Sequence, residues 1–192
     1  MAKARKTARK STRRSTGAMR RSASSQDAIA LLKGDHREVE DLFEQFESAR
    51  SAGRKGELAQ KICQALEVHT QIEAEIFYPA FLEATKDEDI HHEAEVEHDG
   101  AKKLIAEIEA SGPEDEYFHA KVKVLSEMIK HHVNEEEKRD GMFAKARQAE
   151  MDLAELGERL AARKTELMSS GGSNSRRRVG RRGDGMTAQR PT

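Results

Sequence analysis

HTQIE at residues 69–73 and HVNEE at residues 132–136 share one spacing, a histidine followed four residues later by a glutamate. Residues at positions i and i+4 lie one above the other on the same face of an α-helix. Each stretch therefore presents an imidazole and a carboxylate to one point, which is a metal-binding geometry. The doubled spacing predicts two helices that face a common site.

Helical hydrophobic patterns extend outward from both stretches. The 192-residue chain is 36% charged and only 4% aromatic, without Trp, which favours helices over sheets. Apolar residues recur at helical spacing in five segments, about 27–50, 57–84, 88–110, 114–140 and 144–167. The short connections predict an all-α fold, an up-and-down antiparallel four-helix bundle with an added C-terminal helix. We place this domain at residues 26–168.

Each of the first four helices carries one histidine on its apolar stripe. A single histidine there is usually a core residue with a hydrogen-bonding partner, but one per helix at similar depth is a different pattern. Buried ionised groups must be paired or coordinate a metal, so the histidines and the two glutamates predict one metal site. The predicted ligands are His36, His69, Glu73, His98, His132 and Glu136.

Imidazole and carboxylate ligands suit first-row transition metals, and two glutamates can bridge two ions. We predict iron, and zinc stays open because it also accepts His and Glu. A rival pattern is the Glu-x-x-His spacing of ferritin-like bundles, which Glu95 with His98 and Glu116 with His119 both fit. Glu116 stands at a helix start, so this second pair cannot reach mid-bundle.

Periodicity separates two adjacent histidines. His132 continues the face of Leu125, Met128 and Ile129, whereas His131 does not, so His132 is the predicted ligand.

These residues resemble the hemerythrin-like HHE cation-binding family over roughly residues 28–148. The motifs that carry the resemblance are LLKGDHREVEDLF at 31–43, EVHTQIEAEIFYP at 67–79, VEHDGAKKLI at 96–105, and HHVNEEE at 131–137 with a later MF. The resemblance implies a four-helix bundle around a non-haem di-iron centre with an oxo or hydroxo bridge. It also implies that the six predicted residues are the ligands and that Glu73 and Glu136 bridge the two ions.

Two departures from the family pattern affect the predicted function. Oxygen-carrying hemerythrins have a second histidine where this chain has Lys102, and an aspartate where it has Glu137. Glu136 is the better candidate ligand, and Glu137 stays open. A missing ligand leaves one coordination position free, which shifts the expected function from oxygen carriage toward sensing, redox chemistry or iron handling with O₂, peroxide or NO. The sequence leaves open whether the protein is an enzyme.

The net charge of −1 conceals two basic ends. Residues 1–25 contain nine Lys or Arg and no acid, residues 169–192 contain six Arg and one Asp, and residues 26–168 carry a net −15. Both ends are too poor in apolar groups to offset their ordering entropy, so we predict disorder. They suit non-specific, salt-sensitive binding of nucleic acid, or association with the acidic body. The alternative function is therefore a nucleic-acid-associated protein that uses the bundle as scaffold.

No segment approaches the roughly 20 apolar residues that span a bilayer, and the N-terminus lacks the apolar core of a secretory signal. We expect a cytoplasmic protein without membrane association. The single Cys63 cannot form an intramolecular disulfide. The oligomeric state is not indicated by the sequence.

Overall fold

A computed structural model of the chain describes residues 26–180, and the side chains of residues 26–170. Within this range the chain forms seven α-helices and one π-helical turn, without strands. They are α1 (Ala28–Ser48), α2 (Ala52–Ile72), the π turn (Glu73–Phe77), α3 (Tyr78–Thr85), α4 (Glu88–Ala110), α5 (Phe118–Glu137), α6 (Met142–Gln148) and α7 (Leu153–Gly180). The predicted all-α class is confirmed.

The four long helices that carry the predicted ligands pack around a shared core. Helix α1 packs against α2 and α5, and α4 packs against the same two helices. The core consists of two apolar clusters, one around Phe46, Leu66 and Leu125, the other around Leu32 and Phe77. On α1, α2 and α4 the predicted ligand histidine lies where the helix passes from one cluster to the other, and His132 lies near the end of α5, beside the last α5 residue of the first cluster. The fold therefore encloses the polar residues between two apolar layers.

Helix boundaries differ from the predicted ones where capping decides them. Helix α2 begins at Ala52 rather than near 57, because the Ser51 hydroxyl oxygen accepts a hydrogen bond from the Arg54 amide at 3.3 Å. Residues 112–117 form turns, so α5 begins later than predicted. The predicted helix 57–84 is interrupted by the π turn. The predicted helix 144–167 is two helices, separated near Glu150, whose φ of 53° is left-handed.

Helix α7 lies across α1, α2 and the π turn. Its Leu156 and Leu160 are buried, and a Cβ at Gly157 would press on the backbone of residues 26–28. We predicted the end of this helix near residue 167, but it continues to Gly180. Extending a formed helix adds one hydrogen bond per residue, and no proline interrupts 169–180. The rest of the predicted disordered ends, residues 1–25 and 181–192, lies outside the described range.

No helix between residues 26 and 180 combines the length and the apolar character needed to cross a bilayer.

Candidate metal centre

The four histidines meet as two pairs in the middle of the core. The Nε2 atoms of His36 and His69 are 3.2 Å apart, and those of His98 and His132 are 3.3 Å apart. All four side chains are buried. Two nitrogen ligands at about 2.0–2.1 Å from one ion show such a separation when they occupy neighbouring coordination positions. Each pair can therefore hold one ion.

The two glutamates lie between the pairs. Glu73 Oε2 is 3.2 Å from His69 Nε2 and 3.3 Å from His98 Nε2. Glu136 Oε2 is 3.4 Å from His36 Nε2 and 3.7 Å from His132 Nε2. Each carboxylate thus contacts one histidine of each pair. The structure brings all six predicted residues into one cluster.

Two carboxylate oxygens in this cluster lack the hydrogen bonds that burial demands. Glu73 and Glu136 are almost fully enclosed, and Glu73 Oε1 and Glu136 Oε2 have no hydrogen-bonding partner among the described residues. A buried polar atom without a partner costs about 1–3 kcal/mol, and more for a charged group. A cation bound between the glutamates would remove this cost. The residues present therefore fit a metal centre.

Three further carboxylates contact the outer nitrogens of the histidines. Glu137 Oε1 is 2.8 Å from His36 Nδ1, and Glu97 Oε2 is 2.8 Å from His132 Nδ1. Asp35 Oδ2 is 3.5 Å from His69 Nδ1, but these two atoms do not form a hydrogen bond. A carboxylate that accepts from Nδ1–H fixes the tautomer and leaves the Nε2 lone pair free for a metal. The carboxylates orient the histidines toward the centre.

The structure also places the adjacent residues that compete for two of the ligand positions. The side chain of Glu137 points away from the centre. Its carboxylate accepts hydrogen bonds from Lys33 Nζ at 2.9 Å and from an Arg37 guanidinium nitrogen at 2.6 Å. Glu136 points inward. His131 is on the surface with 62% of its side chain exposed, in contact with Glu97.

Apart from His98, the residues of the ferritin-like pattern lie outside the cluster, and so does Lys102. Lys102 is exposed and pairs with Asp99 at 3.6 Å. His119 is exposed and lies 3.5 Å from Glu47, and Glu95 is exposed on α4. The ferritin-like pairing therefore does not form.

Tyr78 belongs to the cluster and was missed by sequence reasoning. Its hydroxyl donates to Glu136 Oε1 at 3.2 Å and lies 3.1 Å from His98 Nε2 and 3.5 Å from Glu73 Oε2. The π turn explains the placement, because the Tyr78 amide bonds the Glu73 carbonyl five residues back. The wider turn brings both side chains to the same face.

Pro79 is the residue in the sequence that could have indicated the π turn. Pro79 has no amide hydrogen and cannot donate to the carbonyl four residues back, so a regular α-helix is interrupted here. The apolar spacing by itself predicts one uninterrupted helix over residues 57–84.

The charges in the metal-free cluster are unevenly distributed. Burial and the neighbouring Glu136 raise the pKa of Glu73 to about 7. Burial opposes ionisation of Glu136, but His132 and His36 outweigh it and lower its pKa to about 2. Burial also opposes the charged form of His132, but Glu136 and Glu97 raise its pKa to about 9. Burial and the charge on His132 lower the pKa of His98 to about 3. His132 therefore carries a proton at pH 7 that a metal ion would displace.

Comparison with known proteins agrees with this geometry. The family model described as the hemerythrin HHE cation binding domain matches residues 27–146. The fold is similar to the crystal structure of a hemerythrin HHE cation binding domain-containing protein from Mycobacterium kansasii, with a TM-score of 0.67 and 24% identity. The similarity covers 79% of this chain and 93% of that one. No curated protein matches the sequence.

Proposed function

The chain belongs to the hemerythrin HHE cation-binding domain family, and on that premise we propose that it is a non-haem di-iron protein. In this proposal its core site binds or reacts with O₂, peroxide or NO. One histidine pair would hold each ion, and both glutamates would bridge. The ligands in this assignment are His36 and His69 for one ion, His98 and His132 for the other, and Glu73 and Glu136 between them.

One observation carries the proposal, namely that Glu73 is common to two groups of potential ligands. One group joins it to His36 and His69, the other to His98 and His132, and the donor atoms of each group lie within 4.8 Å of one another. A carboxylate shared by two such groups is the arrangement that bridges two ions in bundle-core carboxylate sites. A single-ion site would leave one histidine pair without a function.

The ligand set favours iron and an open position. Structural zinc sites are closed by four protein ligands, whereas six ligands divided between two ions leave positions for an external molecule. Mixed imidazole and carboxylate ligands suit redox-active first-row metals. When bound, two iron ions would supply the electron transfer that O₂, peroxide or NO chemistry requires.

The protein residues have separate tasks in this chemistry. The apolar layers above and below the site exclude water, which strengthens electrostatic interactions inside it. The outer carboxylates Glu97 and Glu137 hold the imidazoles in the ligating tautomer. The Tyr78 hydroxyl can donate a hydrogen bond at the centre of the site, and it keeps its proton because burial and the neighbouring Glu73 and Glu136 raise the pKa of Tyr78 well above its usual value. These residues would orient a small ligand.

Metal content and spectra test the proposal. The purified full-length chain is loaded anaerobically with ferrous iron, freed of excess metal and analysed for iron per chain. We expect about two, the number of histidine pairs, and a change in the visible spectrum on addition of O₂, peroxide or NO. Fewer than about one iron per chain, with no spectral change, would overturn the proposal.

Histidine variants test the ligand assignment. His69→Ala and His132→Ala each remove an inward Nε2, so we expect both to abolish stable metal uptake. His131→Ala is the matched control, because His131 is adjacent in sequence but exposed. Equal loss of metal in the control would contradict the assignment.

The alternative function in nucleic-acid binding depends on the basic ends of the chain, and no observation among residues 26–170 favours it.

A further inference from the structure

A cavity of about 390 Å³ leads from the histidines toward the surface between α1, α2 and α7. We call it the α7 cavity. Its inner end is formed by the four histidines, and its walls are mainly aliphatic. The apolar wall residues include Val39, Leu66, Val68, Ile129 and Val133. Its outer end contains Lys61, Lys164 and Met168 together with the carboxylates of Asp35 and Glu38.

The α7 cavity is much larger than the small ligands of the proposed metal site require. A cavity of about 150 Å³ already accommodates a benzene molecule. O₂, peroxide and NO each contain only two non-hydrogen atoms, and metal ions between the histidines would occupy only the inner end. Pockets of roughly 300–1,000 Å³ with apolar walls and a few polar groups are typical of sites for organic ligands. The volume therefore points to an organic molecule.

The charges at the outer end indicate which polar group this molecule carries. Lys164 Nζ lies 2.6 Å from Asp35 Oδ1 and 3.9 Å from Glu38 Oε2, so its charge is already compensated. Lys61 has no ion-pair partner among the residues whose side chains are described, and it is exposed. The two lysines and two carboxylates at this end balance in charge, but Lys61 is the one of the four without an oppositely charged partner among the described side chains, so an anionic group would form its ion pair there.

We propose that the α7 cavity binds an organic monoanion with an apolar body of about ten non-hydrogen atoms. The anionic group lies at Lys61, and the apolar body extends toward the histidines. Helix α7 closes the outer wall through Lys164 and Met168, and both residues follow the part of the chain that the family model matches. Binding requires no metal, so the proposal is independent of the di-iron assignment.

Calorimetric titration of the metal-free, full-length protein with octanoate tests the proposal. Octanol and octylamine have the same apolar body with a neutral or a cationic head. We expect saturable binding of one octanoate per chain, roughly two- to fivefold weaker binding of octanol, and weaker binding still of octylamine. Lys61→Gln should reduce octanoate binding to the level of octanol. Octylamine binding as tightly as octanoate would overturn the assignment of the anion.

A pair of tryptophan substitutions tests the location. Ala65 lines the α7 cavity, so Ala65→Trp fills it and should weaken octanoate binding at least about tenfold, the cost of excluding a few methylene groups. Ala106 is exposed on α4 and does not line the cavity, so Ala106→Trp should bind octanoate as the unmodified chain does. Equal weakening by both substitutions, or no saturable binding below about 1 mM, would overturn the proposal.

Iron content, measured separately, distinguishes this failure from failure of the proposed function. Octanoate binding to a chain that takes up no iron would leave the cavity assignment intact and remove the di-iron centre.

Discussion

Gly141 connects α5 to α6, and we predict that Gly141→Ala destabilises the fold and displaces Glu136. A Cβ at this position would overlap the carbonyl oxygen of Glu135 and lie 2.8 Å from that of Glu136. Both neighbours are backbone atoms, which cannot move aside as a flexible side chain can. The φ of Gly141 is −78°, a value open to any residue. The effect is therefore steric, and it acts directly on the helix turn that carries Glu136.

The size of the effect follows from this geometry. Overpacking a buried position costs about 1–3 kcal/mol, and a backbone contact belongs in the upper half of that range. For a domain of this size, 1 kcal/mol shifts the melting temperature by about 2–4 °C. We therefore expect the melting temperature of the metal-free Gly141→Ala protein to fall by about 4–12 °C. Iron affinity should fall as well, because the carboxylate of Glu136 moves with the end of α5.

Thermal unfolding followed by circular dichroism, with an iron titration of the same samples, measures both effects. Gly34→Ala is the matched control, since Gly34 lies within α1 and a Cβ there meets nothing within 4 Å. Alanine is the better helix former, so this control should gain about 0.5–1 kcal/mol. The steric reasoning fails if Gly141→Ala melts with the unmodified protein and binds the same amount of iron.

Three further predictions concern the site itself. Tyr78→Phe removes a buried hydroxyl that donates a hydrogen bond, so the metal-free protein should lose about 1 kcal/mol in urea unfolding, whereas unchanged stability would show the bond to be weak. Glu97→Gln weakens the hydrogen bond that orients His132, so metal affinity should fall about 10–100-fold in chelator competition with no change in stoichiometry. Glu95→Gln is the control, because Glu95 is exposed on the same helix, and it should leave the affinity unchanged. The raised pKa of His132, about 9, keeps it protonated at pH 7, and the raised pKa of Glu73, about 7, leaves that carboxyl partly protonated there. Zinc loading should therefore release roughly one to two protons more at pH 7 than at pH 10. Equal proton release in a pH-stat at both values would contradict the charge assigned to His132.

The apolar stripe of each helix could be predicted from sequence because α-helical spacing alone determines it. His36, His69, His98 and His132 each follow apolar residues three or four positions away, and all four are buried. The same periodicity separated His132 from its neighbour at position 131. Contacts between two residues on one helix, such as Glu73 with His69, required only the four-residue spacing. The predictable part of the site is thus the part that depends on local geometry.

The sequence favoured Glu136 but left Glu137 open, since adjacent residues offer spacings of four and five from His132. In the structure the carboxylate of Glu136 lies inside the cluster and that of Glu137 outside it. Lys33 and Arg37 on α1 donate to the carboxylate of Glu137 and hold it outside the cluster. These contacts span about a hundred positions of the chain, so only the packing of α1 against α5 reveals them. The contacts of Glu97 with His132 and of Asp35 with His69 also join two different helices, so the sequence did not predict them either.

The π turn shows how one local irregularity changes the chemistry that the site can support. In an uninterrupted α-helix the residue four positions after Glu73 is Phe77, and its side chain would face the ligands. The hydrogen bond from the Tyr78 amide to the Glu73 carbonyl inserts one extra residue into that turn. A phenol hydroxyl consequently lies within 3.5 Å of the buried carboxylates of both Glu73 and Glu136, and Phe77 packs in the apolar layer instead. A hydrogen-bond donor thus enters a buried polar cluster, where its hydrogen bonds are stronger than in water. The irregular turn places that donor beside the carboxylates, at the position where the proposed metal centre would take up a small ligand.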